Sequence, residues 1–234
     1  MMKKLTESSV HPENIKLIVF DVDGTLAETD DYYIEKTSVL AHKLMPFIPA
    51  EKFEKINRPV IMAGETVLHS FYRLLDIVGM DKLLSKIHSR LSVKNDYKYK
   101  EIAGMKETLL KLSGKYMLGI ITSGGRQSTK AFIKKFGLEK IIRFVISSED
   151  CNYIKPHPAP MLKIAEAAGV MPENCMLVGD TIFDILCAHR AGAYAAAVKS
   201  GFDTDRLLRF HKPDLILDSV RDLPQQLSQE EKNE

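Results

Sequence analysis

The chain has 234 residues, of which 45% are hydrophobic and 27% charged, so it can bury a sizeable core and is not expected to be disordered. Its 33 basic and 31 acidic residues give a formal net charge of +2, and this balance offers no reason to expect nucleic acid or a membrane as a partner. The first apolar run, residues 17–20, is too short for a signal peptide or a membrane span, and the three cysteines show no metal-ligand spacing. We therefore expect a cytoplasmic protein with reduced thiols.

Short, β-branched apolar runs recur along the chain and predict the strands of one sheet. The first run, residues 16–20, stops at Asp21, as a strand buried on both faces would. Helical patterns separate several of the later runs, and each pattern ends at a glycine, which is a common helix stop. This alternation predicts an α/β fold with a Rossmann-like, doubly wound parallel sheet. The later runs span 117–121, 144–147, 176–178, 195–198 and 215–217, and the helical patterns span 130–136, 160–168 and 182–191.

Residues 29–99 follow a different pattern, because apolar residues recur there at helical spacing and no strand-like run interrupts them. We interpret this segment as a helical cap that is inserted after the first strand and lies over the sheet as a lid. The predicted domains are a discontinuous Rossmann-like core at 14–28 and 100–227, the cap at 29–99, and flexible ends at 1–13 and 228–234.

Two aspartates, Asp21 and Asp23, directly follow the first predicted strand, and Gly24 allows a sharp turn after them. Ligands of parallel sheets bind at the carboxyl ends of the strands, so both side chains should face one crevice. Asp21 can attack phosphorus as a nucleophile, and Asp23 can protonate the leaving oxygen and then activate water. The simpler interpretation is an Asp-Gly turn with incidental acids, and the position after a buried strand counts against it.

Thr122, Ser123 and Gly124 follow the strand predicted at 117–121 and open a helix. A hydroxyl group and free backbone N–H groups at a helix N-terminus form a natural cradle for phosphate oxygens. A plain helix N-cap with a glycine turn explains the same residues and is favoured when they are considered alone.

Lys155 opens the stiff segment 155–158, in which two prolines restrict the backbone. A rigid loop can hold the lysine ammonium against a phosphate group. A lysine in a loop is usually solvated surface, so the proline context is what favours a role in the site. His157, in the same segment, is expected to be structural or exposed.

Asp180 follows the strand predicted at 176–178, and Asp184 comes one helical turn later on the same face. Mg²⁺ takes oxygen ligands and keeps several waters, so one or two carboxylates suit it. The alternative makes Asp180 a helix N-cap and Asp184 a first-turn acid favoured by the helix dipole. The four segments together supply what phosphoryl transfer requires, because its catalysis is mainly positioning and charge neutralisation.

On these residues the chain resembles the haloacid dehalogenase-like hydrolase superfamily over nearly its whole length. The position of the helical insert is similar to that of the helical-cap subgroup, which contains phosphoglycolate phosphatases, a pyrophosphatase, sugar-phosphate phosphatases and β-phosphoglucomutase. The resemblance rests on the sequences DVDGTL at 21–26, ITSG at 121–124, KPHP at 155–158 and VGDTIFD at 178–184, with AGA at 191–193 and KSG at 199–201.

The resemblance implies a role for each matching residue. Asp21 would be the nucleophile and Asp23 the general acid and base, while Lys155 would stabilise the charge of the phosphate. Asp180 would bind Mg²⁺ together with the Asp21 carboxylate and the Asp23 backbone carbonyl. The other implied residues are Thr122, Ser123 and Gly124 for phosphate binding, with Asp184 and Thr25 in support.

Two departures from the family pattern concern the cap hinge and the reaction. Glu28 stands where relatives often have an aspartate. The mutase branch usually has a valine in place of Thr25 and a histidine near Tyr33, and neither is present here, which favours hydrolysis.

The expected function is that of a Mg²⁺-dependent phosphatase acting on a phosphoglycolate or sugar-phosphate type of metabolite, as a monomer or homodimer. A phosphomutase, an inorganic pyrophosphatase and a non-catalytic regulatory protein remain alternatives. In the cap, Arg58 is a candidate contact for an anionic substrate, and Lys52, His69 and Arg73 are weaker candidates.

Overall fold

The structure is a computed structural model, and it describes residues 10–28 and 99–230. The helical cap predicted at 29–99 therefore lies outside the described residues, except for Tyr99. The cap candidates, Arg58 first among them, lie outside as well, so the cap and its substrate contacts stay predictions.

A parallel six-stranded sheet forms the centre of the described part. The strands are β1 (Leu17–Phe20), β2 (Ala27–Glu28), β3 (Lys100–Glu101), β4 (Met117–Ile121), β5 (Ile142–Ile146), β6 (Cys175–Gly179), β7 (Tyr194–Val198) and β8 (Leu215–Leu217). The order in the sheet is β5-β4-β1-β6-β7-β8, and β2 pairs antiparallel with β3 in a separate ribbon. The predicted doubly wound parallel sheet is confirmed, because the chain builds outwards from β1 in both directions.

Helices cover both faces of this sheet. They are α1 (Met105–Ser113), α2 (Arg126–Phe136), α3 (Ala159–Ala168), α4 (Ile182–Ala191), α5 (Asp205–Phe210) and α6 (Leu223–Glu230). The bounds of α4 match the prediction, whereas α2 begins at Arg126 instead of residue 130 and β5 begins at Ile142 instead of residue 144. Helices α1, α5 and α6 were not predicted. None of the helices within 10–28 and 99–230 is long and apolar enough to cross a membrane.

The alternating side chains of β1 divide the core between the two faces of the sheet. Ile18 and Phe20 pack in a cluster with residues of α1, α2 and α6, whereas Leu17 and Val19 pack with residues of α3, α4 and α5. All four side chains are fully buried, as predicted for this run. Burying each large apolar side chain stabilises the fold by about 1.5–3 kcal/mol.

The ordered core extends slightly beyond the bounds predicted from the sequence. Val10 is buried in the core, and α6 continues to Glu230. Tyr99 packs edge-on against Phe132 with 5.2 Å between the ring centroids. Apolar contacts hold Val10 against the core, whereas Ser228 and Gln229 continue α6 with exposed side chains, and the predicted domain bounds and flexible ends stay predictions.

Strand register places the candidate residues at one edge of the sheet. Phe20, the last residue of β1, aligns with Ile120 of β4 and with Val178 of β6. The residues that follow these three strands therefore lie side by side at the carboxyl ends of the strands. The strands after β1 are added first on one side of it and then on the other. In open α/β sheets, ligands bind in the crevice at the point where the strand order reverses in this way.

Candidate active site

Asp21 is the first residue after β1 and is held by both its backbone and its side chain. Its N–H donates to the carbonyl of Val178 at 2.9 Å, so the end of β1 is tied to β6. Its carboxylate lies 2.8 Å from the ammonium of Lys155, and only 11% of the side chain is exposed. The predicted nucleophile is therefore already paired with the predicted cation.

Lys155 lies between two carboxylates. Its Nζ is 2.8 Å from Oδ2 of Asp21 and 2.6 Å from Oδ1 of Asp184, with 4% of the side chain exposed. Burial alone would lower the pKa of Lys155, but the charges of Asp184 and Asp21 outweigh burial and raise the pKa above its ordinary value. This lysine therefore stays protonated at neutral pH, unlike an ordinary buried lysine.

Helix α4 holds the loop that carries Lys155 through three side chains spaced three residues apart. Asp184 accepts from the Lys155 ammonium, and the thiol of Cys187 donates to the carbonyl of His157 at 3.2 Å. One turn further on, the guanidinium of Arg190 donates to the carbonyl of Pro156 at 3.1 Å. Residues at this spacing share one helix face, so a single face of α4 sets the position of the lysine.

His157 has a structural position, as expected. Its Nδ1 accepts the N–H of Ala159 at 3.1 Å, at the start of α3. Its ring stacks on that of Tyr153, with 4.0 Å between the centroids. The histidine therefore supports the loop that carries Lys155.

Asp180 is completely buried, and each oxygen of its carboxylate accepts one hydrogen bond. The Thr25 hydroxyl donates to Oδ1 at 2.8 Å, and the N–H of Phe202 donates to Oδ2 at 2.9 Å. The alternative role of Asp180 as a helix N-cap is wrong, because Thr181 is the N-cap of α4. Asp184 does act as a first-turn acid, since its Oδ2 accepts the N–H and the hydroxyl of Thr181.

Two glycines allow the backbone to approach the Asp180 carboxylate closely. A Cβ added to Gly24 would lie 2.3 Å from Oδ2 of Asp180, and one added to Gly201 would lie 2.0 Å from the same oxygen. Gly24 also has a φ of +76°, which other residues rarely adopt. The predicted turn after Asp23 is confirmed, and the structure adds that the missing side chain makes room for the carboxylate.

Three of the buried aspartates form a cluster that suits a divalent cation. Oxygens of Asp21, Asp180 and Asp184 lie within 4.8 Å of one another. Lys155 is the one cation with which the contacts of the described residues pair this cluster, so the charges of the carboxylates are not fully balanced. Carboxylate oxygens are the ligands that Mg²⁺ prefers.

The pKa values of the cluster reflect this excess of negative charge. Burial raises the pKa of Asp21 to about 7, although the ammonium of Lys155 pulls it down. Burial, together with the charge of Asp21, raises the pKa of Asp180 well above its ordinary value. A Mg²⁺ ion therefore fits the residues present. Asp21 and Asp180 are the candidate ligands, and Asp184 binds Lys155 and Thr181 beside them.

Asp23 lies in the turn after β1 and is half-buried. Its backbone pairs with Ala27 in an isolated bridge, which fixes the turn. Its negative charge is close enough to Asp21 to contribute to the raised pKa of that carboxyl. The structure thus places the predicted acid and base next to the predicted nucleophile.

Three of the predicted phosphate-binding residues border one pocket, and Gly124 is not among its lining residues. Thr122, Ser123 and Lys155 line a small pocket at the carboxyl ends of β4 and β5. Thr122 is 4% exposed, and its N–H donates to the carbonyl of Ile146 at 3.0 Å. Thr122 and Lys155 thus border the same small space, while the Lys155 ammonium is bound to Asp21 and Asp184.

The helix terminus beside this pocket differs from the prediction of free backbone N–H groups. The N–H of Gly124 donates to the hydroxyl of Thr122 at 2.9 Å. The N–H of Arg126, the first residue of α2, donates to the carboxylate of Glu149 at 2.9 Å. Neither group is free for phosphate, because the Thr122 hydroxyl accepts the first and a carboxylate from the loop after β5 accepts the second. The cradle is therefore built from side chains more than from the start of α2.

Sequence reasoning missed residues that act on the site from helix α4 and from other loops. Several of them contribute a backbone group or bind one, so their side chains carry no recognisable signal. The sequence signals near them are the AGA match at 191–193 and the KSG match at 199–201. The missed residues are Glu149, Cys187, Arg190, Phe202 and Asp203.

The fold and the site define an α/β protein with an aspartate-rich site at the switch point of a parallel sheet. The model of the haloacid dehalogenase-like hydrolase family matches residues 18–198, and the chain belongs to this family. The resemblance inferred from the motifs is thereby confirmed.

Relatives of known name agree with this assignment. The chain is 29% identical over 210 residues to pyrophosphatase PpaX of Bacillus cereus (strain AH820), which covers 89% of this chain and 94% of that protein. A predicted phosphoglycolate phosphatase from Haemophilus somnus 129pt has a similar structure, with a TM-score of 0.63 and 23% identity over 91% of this chain and 97% of that one. A haloacid dehalogenase-like hydrolase from Streptococcus pneumoniae has a TM-score of 0.64 and 22% identity over 91% and 98%. These two structures establish the likeness of fold alone.

Proposed function

We propose that this protein is a Mg²⁺-dependent phosphatase that hydrolyses a small phosphorylated metabolite, with Asp21 as the covalent nucleophile. The observation that carries the proposal is the 2.8 Å contact between the Asp21 carboxylate and the Lys155 ammonium, beside the buried carboxylate of Asp180. An anionic nucleophile repels an anionic phosphoryl group, and a buried ammonium at this distance offsets the repulsion. When bound by Asp21, Asp180 and the main-chain carbonyl of Asp23, Mg²⁺ would neutralise further charge on the phosphoryl group.

The first step is attack of an Asp21 carboxylate oxygen on phosphorus. A bond forms between this oxygen and phosphorus, and the bond from phosphorus to the leaving oxygen breaks. Asp23 donates a proton to the leaving oxygen, so this oxygen departs as a neutral hydroxyl group of the product. Thr122 and Lys155 bind the phosphoryl oxygens during the transfer, since both line the pocket beside β4.

The second step returns the enzyme to its starting state. Asp23, now ionised, takes a proton from a water molecule, and the water oxygen attacks the phosphorus of the aspartyl-phosphate. The bond between phosphorus and Asp21 breaks, which releases inorganic phosphate and regenerates the carboxylate. Asp23 ends the step protonated, ready for the next substrate.

The substrate class follows from the relatives and the predicted cap. Phosphoglycolate and sugar phosphates are the first candidates, because the helical-cap subgroup that the motifs resemble acts on them. Inorganic pyrophosphate is the second candidate, and the similarity to pyrophosphatase PpaX over 89% of the chain is what favours it. Arg58, in the predicted cap, remains the candidate contact for the anionic part of either substrate.

The test is phosphate release from a panel of phosphomonoesters and pyrophosphate, with Mg²⁺ or with EDTA. We expect release that needs the metal and that falls by about 10³-fold or more in Asp21→Asn. Asp205→Asn is the matched control, because it makes the same chemical change at an exposed surface pair and should leave turnover unchanged. Isomerisation of a sugar phosphate without phosphate release would establish a mutase instead, and full activity in Asp21→Asn would refute the covalent mechanism.

A further inference from the structure

The loop after β7 contacts the site at several points, although none of its side chains belongs to the catalytic set. The hydroxyl of Ser200 donates to the carbonyl of Gly24 at 2.9 Å. The N–H of Phe202 donates to Oδ2 of Asp180 at 2.9 Å. The carboxylate of Asp203 accepts the N–H of Ile182 at 2.7 Å. The loop thus joins the turn after β1, the carboxylate of Asp180 and the start of α4.

We infer that Ser200 and Asp203 are positioning residues that hold the Phe202 N–H against Asp180 and so orient its carboxylate for Mg²⁺. We call residues 200–203 the clamp. The inference rests on the proposed function, since it takes Asp180 as a metal ligand. It goes further by assigning part of the metal affinity to residues that touch neither the metal nor the substrate.

The two anchors of the clamp lie on either side of the Phe202 amide. Asp203 is 8% exposed, and its carboxylate binds the first N–H of α4, where a negative charge also interacts favourably with the helix dipole. A hydrogen bond between a carboxylate and a buried N–H is of the charge-assisted, stronger kind. Ser200 binds the opposite side, at the turn that contains Gly24. The amide between these anchors is therefore held in one orientation.

The clamp and Thr25 together restrict rotation of the Asp180 carboxylate. Thr25 binds Oδ1 and Phe202 binds Oδ2, and each carboxylate oxygen can accept more than one hydrogen bond or ligand bond. The carboxylate therefore keeps acceptor capacity for a metal while its plane is fixed. Gly201 lies inside the clamp and allows this close approach, since a Cβ there would lie 2.0 Å from Oδ2. Groups that orient a metal ligand commonly contribute about 10- to 100-fold to metal affinity.

The experiment measures Mg²⁺ binding to the full chain by isothermal titration calorimetry, with Mg²⁺ alone and no substrate. We expect the Kd to rise by about 10-fold or more in Asp203→Ala and by a smaller factor in Ser200→Ala. Asp203→Asn keeps an oxygen that can accept the Ile182 N–H, so it should restore most of the affinity. Thr204→Ala is the matched control, because Thr204 caps α5 next to the clamp and has no bond to Asp180.

A second readout separates positioning from a general loss of structure. In phosphate-release assays, the Mg²⁺ concentration for half-maximal rate should rise in Asp203→Ala and Ser200→Ala, while kcat at saturating Mg²⁺ should stay close to wild type. Thr204→Ala should lower the Tm without changing the Mg²⁺ dependence. If Asp203→Ala does not fold, Ser200→Ala decides the question by the same two measurements.

The outcomes distinguish the inference from the function on which it rests. Wild-type Kd values in the clamp variants would overturn the inference and leave the proposed function intact. A wild-type protein that binds no Mg²⁺ would instead overturn the proposed function. A weaker Kd in Thr204→Ala equal to that of Asp203→Ala would also overturn the inference, because the effect would then come from the loop as a whole.

Discussion

Lys155 and Asp184 are 29 positions apart in the sequence, yet the lysine ammonium lies 2.6 Å from the aspartate carboxylate. Only 4% of the lysine side chain and 1% of the aspartate side chain are exposed. A charge left alone at such a place has little water to solvate it, so the pair is costly to break. The contact also sets the position of the ammonium next to Asp21, which connects the stability of the fold to the geometry of the site.

Replacement of Asp184 is the first prediction. In Asp184→Ala, Lys155 keeps Asp21 as its remaining partner and α4 loses the acid of its capping box. We expect the free energy of unfolding to fall by about 1–3 kcal/mol, because the hydrogen bonds to the Asp184 carboxylate are lost while its repulsion with Asp21 is relieved, and turnover should fall with it. Urea unfolding and phosphate release measure the two effects.

Arg209→Gln is the control for this prediction. Arg209 forms an exposed ion pair with Asp205 on α5, so its removal should change neither stability nor turnover measurably. Equal stability of wild type and Asp184→Ala would contradict the structural role assigned to the buried pair.

The pH dependence of stability without metal is the second prediction. Burial raises the pKa of Asp21 from 3.8 to about 7, so the folded state holds a proton that the unfolded state has lost. In EDTA, wild type should therefore lose stability relative to Asp21→Asn as the pH rises from about 4 to about 7. Thermal or urea unfolding of both proteins across this range measures the difference in their stability. Taking this difference cancels the contribution of titrating groups that the two proteins share. A difference that grows in favour of wild type with rising pH would show that the sign is wrong.

Stabilisation by Mg²⁺ is the third prediction. A ligand that binds the folded state at 100 times its Kd stabilises it by about 2.7 kcal/mol, so Mg²⁺ should raise the Tm of wild type at neutral pH. Asp180→Asn should lose this response because it removes a ligand. The same substitution reduces the repulsion among the buried carboxylates. In EDTA, the Tm of Asp180→Asn should therefore fall less than the Tm of a variant that replaces an ordinary buried polar residue.

Differential scanning fluorimetry with Mg²⁺ and with EDTA provides the measurement. Asp205→Asn again serves as the control, because it alters an exposed carboxylate that pairs with Arg209. A Tm increase with Mg²⁺ that is the same in wild type and Asp180→Asn would remove Asp180 from the metal site.

Closure of the space beside Asp180 is the fourth prediction. In Gly201→Ala the new Cβ would lie 2.0 Å from Oδ2 of Asp180, so the carboxylate or the loop must move. We expect the free energy of unfolding to fall by about 1–3 kcal/mol and the Kd for Mg²⁺ to rise. Urea unfolding and calorimetry measure these changes.

Gly114→Ala is the matched control for this variant. Gly114 has an ordinary helical conformation, and the nearest atom to an added Cβ is a carbonyl oxygen at 3.4 Å. The substitution should be neutral or should stabilise the protein by about 0.4–1 kcal/mol, with no effect on Mg²⁺ binding. Similar behaviour of the two alanine variants would contradict the close approach at Gly201.

The sequence by itself determined the fold class and the principal residues of the site. The apolar run of β1 predicts a buried strand because its periodicity is local, and Asp21 marks its end. Asp180 and Thr122 follow strands in the same way, so the rule that ligands bind at the carboxyl ends of parallel strands places all three at one edge. This inference needs no knowledge of how the strands are ordered in the sheet.

Only the tertiary structure decided which atoms meet at that edge. The helix terminus predicted to bind phosphate is capped by Glu149, which comes from a different loop. One partner of the Asp180 carboxylate is the backbone N–H of Phe202, a group that every residue except proline carries. Such contacts join segments far apart in the sequence through groups without a residue-type signature, so composition and spacing cannot reveal them. The position of a residue at the end of a strand can be predicted from the local sequence. The orientation of each carboxylate depends on loops that only the folded chain brings together.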